Sequence, residues 1–187
     1  MGVESGSQVI LDAMDKGITL DTVTIARDRL RNAGIRACFF LQFGYPGETW
    51  TELEETIALV RKLRPDDIGI SFSYPLPGTV FYERVLTQLG MKRNWTDSDD
   101  LCIMFKAAYS TDFYRAVREA LHAEVDSWHQ PSAQQEPGAR ISALWQTIRE
   151  LEPMSRVPDA FMLPESIDII ASSPIIPVEQ LTSFRKA

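Results

Sequence analysis

Two short, strongly apolar runs lie in the first half of the chain, at residues 35–41 and 67–73. The first is almost continuously apolar after Arg36, a pattern typical of a parallel strand that is covered on both faces. The second alternates between apolar and small polar residues, with Ile68, Ile70 and Phe72 on one side, which is typical of a half-buried strand. Both runs therefore predict strands of one sheet.

Longer amphipathic stretches surround these runs and predict three helices, over residues 8–14, 22–32 and 49–64. Asp21 or Thr22 is the expected N-cap of the second helix, and Gly34 follows that helix as a stop signal. Thr49, with Glu52 three residues later, fits a capping box at the start of the third helix. The residues before the first helix resemble the end of another strand and its loop.

A Pro-Gly pair occurs at residues 46–47 and again at 77–78, 31 residues later. Aligning the chain at this offset places residues 39–43 over 70–74, so that each unit consists of a helix, a turn, a strand and a loop. Successive units of this kind build a parallel sheet, either a barrel or an open doubly wound sheet. In both architectures ligands bind at the carboxyl ends of the strands, where the two Pro-Gly loops lie.

The alternation stops after Gly90, and the pattern becomes mostly helical. Residues 111–128 carry an apolar stripe at helical spacing. Residues 139–151 predict a further helix, and five prolines between Pro153 and Pro177 disfavour regular structure in the rest. We therefore divide the chain into a first unit at 1–90, a helical extension at 91–129, and a linker, short helix and proline-rich tail at 130–187.

The extension is rich in aromatic residues, which could line a pocket but are better explained as core packing. They are Trp95, Phe105, Tyr109, Phe113, Tyr114 and Trp128. His122 and His129 are about two helical turns apart, roughly 10 Å, which is too far for one metal ion bound by both. We expect these histidines on an exposed helix face, and we expect no metal site.

Composition narrows the possible classes of protein. With 187 residues, 44% of them hydrophobic, the chain is long enough to bury a core.

The formal charge of -7 and the lack of a Lys/Arg cluster argue against binding to nucleic acid or an anionic membrane. No apolar run approaches the roughly 20 residues of a membrane span and the start lacks a leader pattern, so we expect a cytoplasmic protein. Cys38 and Cys102 lie in apolar surroundings, which predicts buried free thiols.

Three loops at the predicted strand ends resemble the second half of the radical S-adenosylmethionine (SAM) core, especially the subgroup that carries a cobalamin-binding domain upstream. The matching stretches are Gly2-Val3-Glu4-Ser5-Gly6-Ser7-Gln8 with Met14-Asp15-Lys16-Gly17-Ile18-Thr19, then Phe43-Gly44-Tyr45-Pro46-Gly47-Glu48-Thr49, then Tyr74-Pro75-Leu76-Pro77-Gly78-Thr79 with Tyr82. They span less than half of the chain. The resemblance implies an α/β fold that is the C-terminal half of a partial parallel (β/α) barrel, followed by a mostly helical extension and an irregular tail.

In that family SAM lies across the mouth of the barrel. The resemblance implies that Glu4 and Ser5 lie near the ribose, Lys16 near the SAM carboxylate, and Phe43 with Gly44 along the adenine. Gln42 stands where the family usually has an apolar residue beside the adenine, and it could form a hydrogen bond instead. Tyr74 and Pro75 would lie on the adenine side or on the substrate side.

Several of these residues also have a structural interpretation. Glu4 could stabilise the start of the following helix through the helix dipole, although a carboxylate is also suited to bind both ribose hydroxyls. Lys16 before Gly17 is typical of a helix end. Glu48 and Thr49 are first of all the turn that begins a helix.

The family's defining element is a Cys-x-x-x-Cys-x-x-Cys loop that binds a 4Fe-4S cluster, and this chain has no such loop. Cys38 and Cys102 are too few to replace it. The resemblance therefore implies a fragment that positions SAM for reductive cleavage to a deoxyadenosyl radical, with the missing N-terminal half of the barrel as its partner. SAM, a 4Fe-4S cluster and possibly cobalamin would serve a parent enzyme whose small-molecule or cofactor-like substrate is unknown. The fragment alone should neither assemble the cluster nor cleave SAM.

Two other interpretations stay open. The chain could be a non-catalytic barrel remnant or interaction module that docks on a partner through its proline-rich tail. It could also be an unrelated parallel-barrel enzyme that binds a phosphorylated metabolite where glycine loops precede helices.

Overall fold

The computed structural model describes residues 1–89, 102–129, 137–160 and 162. Trp95, the first seven residues of the predicted linker, and the tail beyond 162 lie outside the described residues. The elements, in chain order, are β1 (Gly2–Glu4), α1 (Gln8–Ala13), α2 (Leu20–Asn32), β2 (Cys38–Phe43), α3 (Trp50–Leu63), β3 (Asp67–Phe72), α4 (Val80–Val85), α5 (Thr111–Ser127) and α6 (Pro137–Leu151). The predicted α/β class is confirmed.

The three strands form one parallel sheet in the order β1-β2-β3, which is compatible with part of a parallel barrel. β2 and β3 pair from Cys38 opposite Asp67 to Phe43 opposite Phe72, an offset of 29 residues (67 minus 38). The register predicted from the 31-residue repeat is therefore wrong by two residues. The reason is that two more residues separate the end of β3 from its Pro-Gly turn than separate the end of β2 from its own. A shift of two residues keeps every side chain on its predicted face.

The two faces of the sheet differ in burial. Phe39, Leu41 and Phe43 of β2 are at most 1% exposed and share one core with α3 and α5. On the opposite face Phe40 is 57% exposed. The prediction that β2 is covered on both faces is therefore wrong for the described part of the chain. This less buried side, which we call the open face, carries Phe40, Gln42, Gly69 and Ser71.

β2 begins at Cys38, three residues later than the sequence predicts. Ile35 is 54% exposed and contributes nothing to the core. The backbone N–H of Ala37 donates to Oδ2 of Asp66 at 2.8 Å, and the buried Arg27 lies 3.3 Å from the same oxygen. These contacts fix the chain where β2 starts, so the apolar run enters the sheet only after them.

Local sequence accounts for the start and end of α2. The helix begins at Leu20, and the hydroxyl of Thr19 accepts a hydrogen bond from Thr22 N–H at 3.1 Å. The prediction that Asp21 or Thr22 caps this helix is therefore wrong. Leu20 is half-buried against the core and is already the first helical residue, so the N-cap is Thr19. Gly34, with a φ of 69°, follows the helix as predicted.

The predictions for α3 are confirmed. Thr49 and Glu52 form a capping box, in which Thr49 N–H donates to Glu52 Oε2 at 2.7 Å. Ile57, Val60 and Leu63 lie on one stripe and are at most 3% exposed. A periodic apolar stripe with a capping box was enough to define this helix.

The predicted stripe of α5 is likewise buried, and the helix packs against β3 and α6. Four aromatic residues of the extension are 7% exposed or less, as predicted: Phe105, Tyr109, Phe113 and Tyr114. Trp128 is only half-buried. The absence of regular structure predicted after α6 is wrong for its first residues. Glu152–Met154 form a 3-10 turn, and Arg156 pairs with Tyr109 in an antiparallel bridge.

Two smaller expectations concern the cysteines and the membrane. Cys38 and Cys102 are free thiols as predicted, but both are half-buried rather than buried. Among the described helices, none combines the length and apolar character needed to cross a membrane.

Candidate functional site

The carboxyl ends of the three strands meet at one edge of the sheet. Glu4 ends β1, Phe43 ends β2, and Ser73 follows β3, with its N–H donating to the carbonyl of Phe43 at 2.7 Å. The three loops that resemble the radical SAM core are therefore neighbours in space. We call this edge the strand-end rim.

Glu4 and Lys16 form an ion pair at the rim. The distance from Lys16 Nζ to Glu4 Oε1 is 3.4 Å, and the side chains are 37% and 22% exposed, respectively. Glu4 has a φ of 63°, which is rare for a residue other than glycine. Its carboxylate lies back over Gly2, where an added Cβ would come within 3.0 Å of Oε1. Since Gly2 pairs with Phe40, the carboxylate lies on the side of the open face.

The structural alternatives for these two residues fare differently. The N-cap of α1 is Ser7, and its first turn holds no acidic residue, so Glu4 does not cap the helix. The last turn of α1 holds no basic residue, but Lys16 takes part in the helix end, because its backbone N–H donates to the Leu11 carbonyl at 3.2 Å. The side chain of Lys16 is not used in this cap and pairs with Glu4 instead, and Glu4 has an unusual backbone conformation.

Ser5 lies beside Glu4 but points the other way. Its side chain is fully buried, its Oγ is 3.2 Å from Thr56 Oγ1, and it accepts a hydrogen bond from Ser7 N–H at 3.1 Å. The N–H of Gly6 donates to the same Thr56 oxygen at 2.8 Å. The hydroxyl of Ser5 therefore organises the loop against α3, and a contact between this hydroxyl and a ribose stays an untested prediction.

Gln42 forms a hydrogen bond within the chain, and a hydrogen bond from this residue to the adenine stays a prediction. Its Nε2 donates to Ser73 Oγ at 2.9 Å and so links the ends of β2 and β3. Because Gln42 lies on the open face, this amide is the polar group of β2 closest to the strand-end rim.

Phe43 and Gly44 do not offer a side chain for contact with an adenine. Phe43 is 0% exposed and points into the core. Gly44 has a φ of 79°, and an added Cβ would lie 2.7 Å from Ile103 Cδ1 and 3.5 Å from the ring of Tyr114. The space beside Gly44 is thus filled by the extension. The Phe43 carbonyl accepts from Ser73 N–H and Gly44 N–H donates to Glu48, so an adenine contact by these two residues stays an untested prediction.

Glu48 is a feature that the sequence did not reveal. Its carboxyl group is fully buried, Oε2 accepts a hydrogen bond from Gly44 N–H, and Oε1 has no partner among the described residues. Burial raises the pKa of Glu48 to about 8. A glutamate just before a helix gives no sequence signal of burial, because the covering residues, such as Tyr114, come from the distant extension.

Tyr74 and Pro75 follow β3 on the same rim. Pro75 is buried, and Tyr74 is half-buried against the core. The Pro-Gly turns at 46–47 and 77–78 both place their glycine at positive φ, 91° at Gly47 and 84° at Gly78. The repeat thus places equivalent turns after β2 and β3.

No other part of the described chain offers a clear site. Within it, no group of three or more His, Cys, Asp or Glu residues could bind a metal ion. His129 is exposed as predicted, but it lies beyond the end of α5. His122 is half-buried with a buried Nε2, so the prediction of one shared exposed helix face is wrong. Burial by the packing of α5 lowers the pKa of His122.

A cavity of about 370 Å³ lies between α3, α5 and α6, and its lining residues are on helices rather than on the rim. Its main polar groups pair with one another. Arg61 Nε donates to Glu124 Oε1 at 2.7 Å, and Trp145 Nε1 donates to Glu124 Oε2 at 2.6 Å. The guanidinium of Arg61 also lies over the Trp145 ring, 5.2 Å from its centroid. We therefore regard this cavity as part of the helix packing.

Comparison with known proteins finds similar proteins over part of the chain. An uncharacterized methyltransferase of Pyrococcus horikoshii is 34% identical over 95 residues, which is 50% of this chain and 21% of that protein. The tRNA-2-methylthio-N(6)-dimethylallyladenosine synthase of Halorhodospira halophila is 39% identical over 80 residues, 41% of this chain and 17% of the enzyme. The enzyme of the same name from Wolbachia pipientis is 41% identical over 85 residues, 44% of this chain and 19% of the enzyme. No family model matches the chain.

These relatives are enzymes, and they support the radical SAM superfamily. They do not support the cobalamin-binding subgroup. The chain spans about a fifth of the length of the curated relatives it matches.

Proposed function

We propose that this chain forms part of the SAM-binding site of a radical SAM enzyme, with the strand-end rim as the surface that holds SAM. The observation that carries the proposal is the Glu4–Lys16 ion pair at the end of β1, on a backbone with positive φ. SAM carries a ribose diol and an amino acid carboxylate. A carboxylate that accepts from the diol and an ammonium that binds the carboxylate are the two groups needed to orient it.

The residues present fit SAM in part and do not fit the cluster. Glu4, Lys16 and Gln42 are polar, partly exposed and close to the rim, so they could hold the ribose and amino acid parts. In this superfamily SAM bound to a reduced 4Fe-4S cluster supplies the deoxyadenosyl radical. Cys38 and Cys102 are too few to bind such a cluster, so its thiolate ligands would belong to another part of the parent protein.

Within this site the chain's own contribution is binding and positioning. Phe43 and Gly44 would present backbone to the adenine, since the Phe43 side chain lies in the core. The open face would border the substrate, with Phe40 as its apolar surface. Among reaction classes, the names of the relatives favour transfer of a methyl or methylthio group. The charge of -7 weighs against RNA contact by this segment.

The structure weakens the phosphate-binding alternative at the loop after β2. A phosphate site of that kind needs free backbone N–H groups at the start of the helix. Here Gly44 N–H is bonded to Glu48, Thr49 N–H to Glu52, and Trp50 N–H to the hydroxyl of Tyr109.

Two experiments test the proposal: sequencing of the gene upstream of this chain, and measurement of SAM binding by the parent protein. The coding sequence that precedes this chain should contain a Cys-x-x-x-Cys-x-x-Cys loop, and its absence would contradict the enzyme proposal and favour a non-catalytic module. In the parent protein with reconstituted iron, calorimetric titration with SAM should show at least about tenfold weaker binding in Glu4→Gln and in Lys16→Met, as expected for a lost charged contact.

Matched controls are available on α3. Glu55→Gln and Lys62→Met make the same chemical changes at exposed positions for which no ion pair occurs within the described residues. They should bind SAM like the unchanged protein. Equal affinity in all four variants would remove Glu4 and Lys16 from the site.

A further inference from the structure

A buried hydroxyl of the extension, that of Tyr109, forms a hydrogen bond with the first residue of α3. Tyr109 is 3% exposed, and its hydroxyl oxygen accepts a hydrogen bond from Trp50 N–H at 3.0 Å. Trp50 is the first residue of α3, and its N–H is one of the amides that a helix cannot satisfy internally. A residue of the extension thus binds the end of the loop that starts at Gly44.

The same hydroxyl continues the hydrogen-bond chain to the segment after α6. It donates to Glu152 Oε1 at 2.6 Å, and Glu152 is 6% exposed. Arg156 holds both oxygens of that carboxylate, with Nε 2.9 Å from Oε1 and Nη2 3.1 Å from Oε2. Burial raises the pKa of Tyr109, so the hydroxyl keeps its proton and remains a donor at physiological pH.

Backbone pairing fixes this segment in place. Ser110 N–H donates to the Ser155 carbonyl at 2.9 Å, and Val157 N–H donates to the Ala108 carbonyl at 2.9 Å. The two pairs flank Tyr109 on both sides. The position of the hydroxyl is therefore set by backbone as well as by side chains.

The extension holds the other end of the loop by packing. Ile103 and Tyr114 fill the space beside Gly44, and Tyr114 lies 5.8 Å, centroid to centroid, from the ring of Tyr109. The loop at residues 44–49 is thus bounded at its first residue by packing and just beyond its last residue by a hydrogen bond. Both contacts come from the extension.

We propose that Tyr109 is a positioning residue for the loop at 44–49, held in place by Glu152 and Arg156. The extension then helps to shape the strand-end rim, and the segment after α6 is coupled to the rim through one hydroxyl group. The consequence for SAM rests on the proposed function; the effect on the loop does not.

Amide hydrogen exchange of the 187-residue chain, resolved by NMR, tests the effect on the loop. Tyr109→Phe removes the acceptor of Trp50 N–H, and the Trp50 amide should exchange about tenfold faster relative to the Val60 amide in the same helix. The matched control is Tyr114→Phe, which removes a neighbouring buried hydroxyl, since the hydrogen bonds to Trp50 and Glu152 come from Tyr109 and not from Tyr114. That variant should leave the ratio unchanged.

A second pair of variants tests the role of Glu152. Glu152→Gln retains an acceptor for the Tyr109 hydroxyl and should keep the ratio of Trp50 to Val60 exchange near its original value. Glu152→Ala removes the acceptor and should raise the ratio. A general loss of stability would accelerate the core amide of Val60 at least as much as that of Trp50, so it cannot raise the ratio. An unchanged ratio in Tyr109→Phe and Glu152→Ala would overturn the inference.

SAM titration of the parent protein separates this inference from the proposed function. Tyr109→Phe should weaken SAM binding several-fold compared with Tyr114→Phe. If the unchanged parent protein does not bind SAM, the proposed function fails, while the exchange experiment still decides whether Tyr109 positions the loop. If SAM binds but equally well to both variants, the coupling to the rim is wrong.

Discussion

The backbone N–H of Gly44 donates a hydrogen bond to Oε2 of Glu48, and this bond closes the loop that joins β2 to α3. The other oxygen of the buried carboxyl has no partner among the described residues, and burial raises the pKa of Glu48 to about 8. At neutral pH the carboxyl is therefore mostly protonated. The strand-end rim is thus shaped in part by a group that changes charge near physiological pH.

We predict that the free energy of unfolding falls as the pH rises from about 4.5 to about 8 because of Glu48. The folded state binds the proton more tightly than the unfolded chain, so this contribution is complete below about 4.5 and is lost as the pH rises through about 8. Within that window the slope from this one group is about 1.4 kcal/mol per pH unit. Urea unfolding at a series of pH values measures it.

Glu48→Gln is the informative variant, because its side-chain oxygen still accepts from Gly44 N–H and it does not titrate. The stability of this variant relative to the unchanged chain should increase with pH. Glu55→Gln, at an exposed position of α3, should show no such trend. A constant difference between Glu48→Gln and the unchanged chain from pH 5 to 8 would mean that Glu48 does not titrate in this range.

Gly44 should be the more sensitive of two glycines with positive φ. Gly44→Ala combines backbone strain with a Cβ 2.7 Å from Ile103 Cδ1, whereas Gly34 has a similar φ and no atom within 4 Å of the added Cβ. We expect Gly34→Ala to cost about 1 kcal/mol from strain alone. Gly44→Ala should cost about 1–3 kcal/mol more, as overpacking does. Thermal and urea unfolding of both variants measure the difference.

A double variant separates packing from strain at Gly44. Ile103→Val removes the Cδ1 atom that an added Cβ would meet, so Gly44→Ala should be less destabilising in that background. If the losses of unfolding free energy in the two single variants simply add in the double variant, Ile103 does not contact the added Cβ at residue 44.

The sequence predicts those parts of the fold that depend on local patterns. The helix that contains Ile57, Val60 and Leu63 follows from its periodicity and its capping box, and both are confirmed. The meeting of Glu4 and Gly44 at one edge follows from parallel strands, which bring all carboxyl ends to the same side. Local patterns that identify the helices and the parallel strands were therefore sufficient to predict which loops meet at the rim.

Long-range packing limits what could be predicted of the site itself. Ser5 is buried because Thr56 of a later helix binds its hydroxyl, and Gly44 is constrained by Ile103 of the extension. No periodicity reports such contacts, because each partner lies in another element. The burial of Phe43, by contrast, follows from the alternation with Phe39 and could have been predicted.

Arg27 should be worth more to stability than its helical neighbour Arg31. Arg27 is 4% exposed, and its guanidinium donates to the carbonyls of Leu63 and Arg64 at the end of α3, at 3.3 and 2.7 Å. Arg27→Met removes the side-chain donor to the Arg64 carbonyl and the buried cation beside Asp66, while the Leu63 carbonyl still accepts from Arg31, so we expect a loss of about 3 kcal/mol. Denaturant unfolding of the variant provides the measurement.

Two comparisons sharpen this prediction. Arg27→Lys should recover only part of the loss, because an ammonium group lacks the planar fork that contacts two carbonyls and a carboxylate. Arg31 also donates to the Leu63 carbonyl, but its side chain is 46% exposed and that carbonyl would keep the bond from Arg27, so Arg31→Met should cost at most about 1 kcal/mol. Equal losses for Arg27→Met and Arg31→Met would refute the role assigned to the buried guanidinium.

Gly6 should tolerate no side chain, because its loop lies directly on the backbone of α3. An added Cβ would be 2.4 Å from Thr56 Cα and 2.6 Å from the Glu55 carbonyl oxygen, and neither atom can move without displacing the helix. We expect Gly6→Ala to lower the free energy of unfolding by about 3 kcal/mol or more. Gly138→Ala, in the first turn of α6 with open space around it, should instead be neutral or stabilise by up to about 1 kcal/mol.

Because Gly6→Ala could prevent folding altogether, Thr56 offers a milder test of the same contact. Thr56→Val keeps the shape of the side chain but removes the oxygen that accepts from Gly6 N–H and contacts Ser5, so it should cost about 1–3 kcal/mol. Thr56→Ser retains that oxygen and should cost about 1 kcal/mol, the value of one buried methyl group. If Thr56→Val unfolds at the same urea concentration as Thr56→Ser, the hydroxyl does not hold the β1 loop against α3.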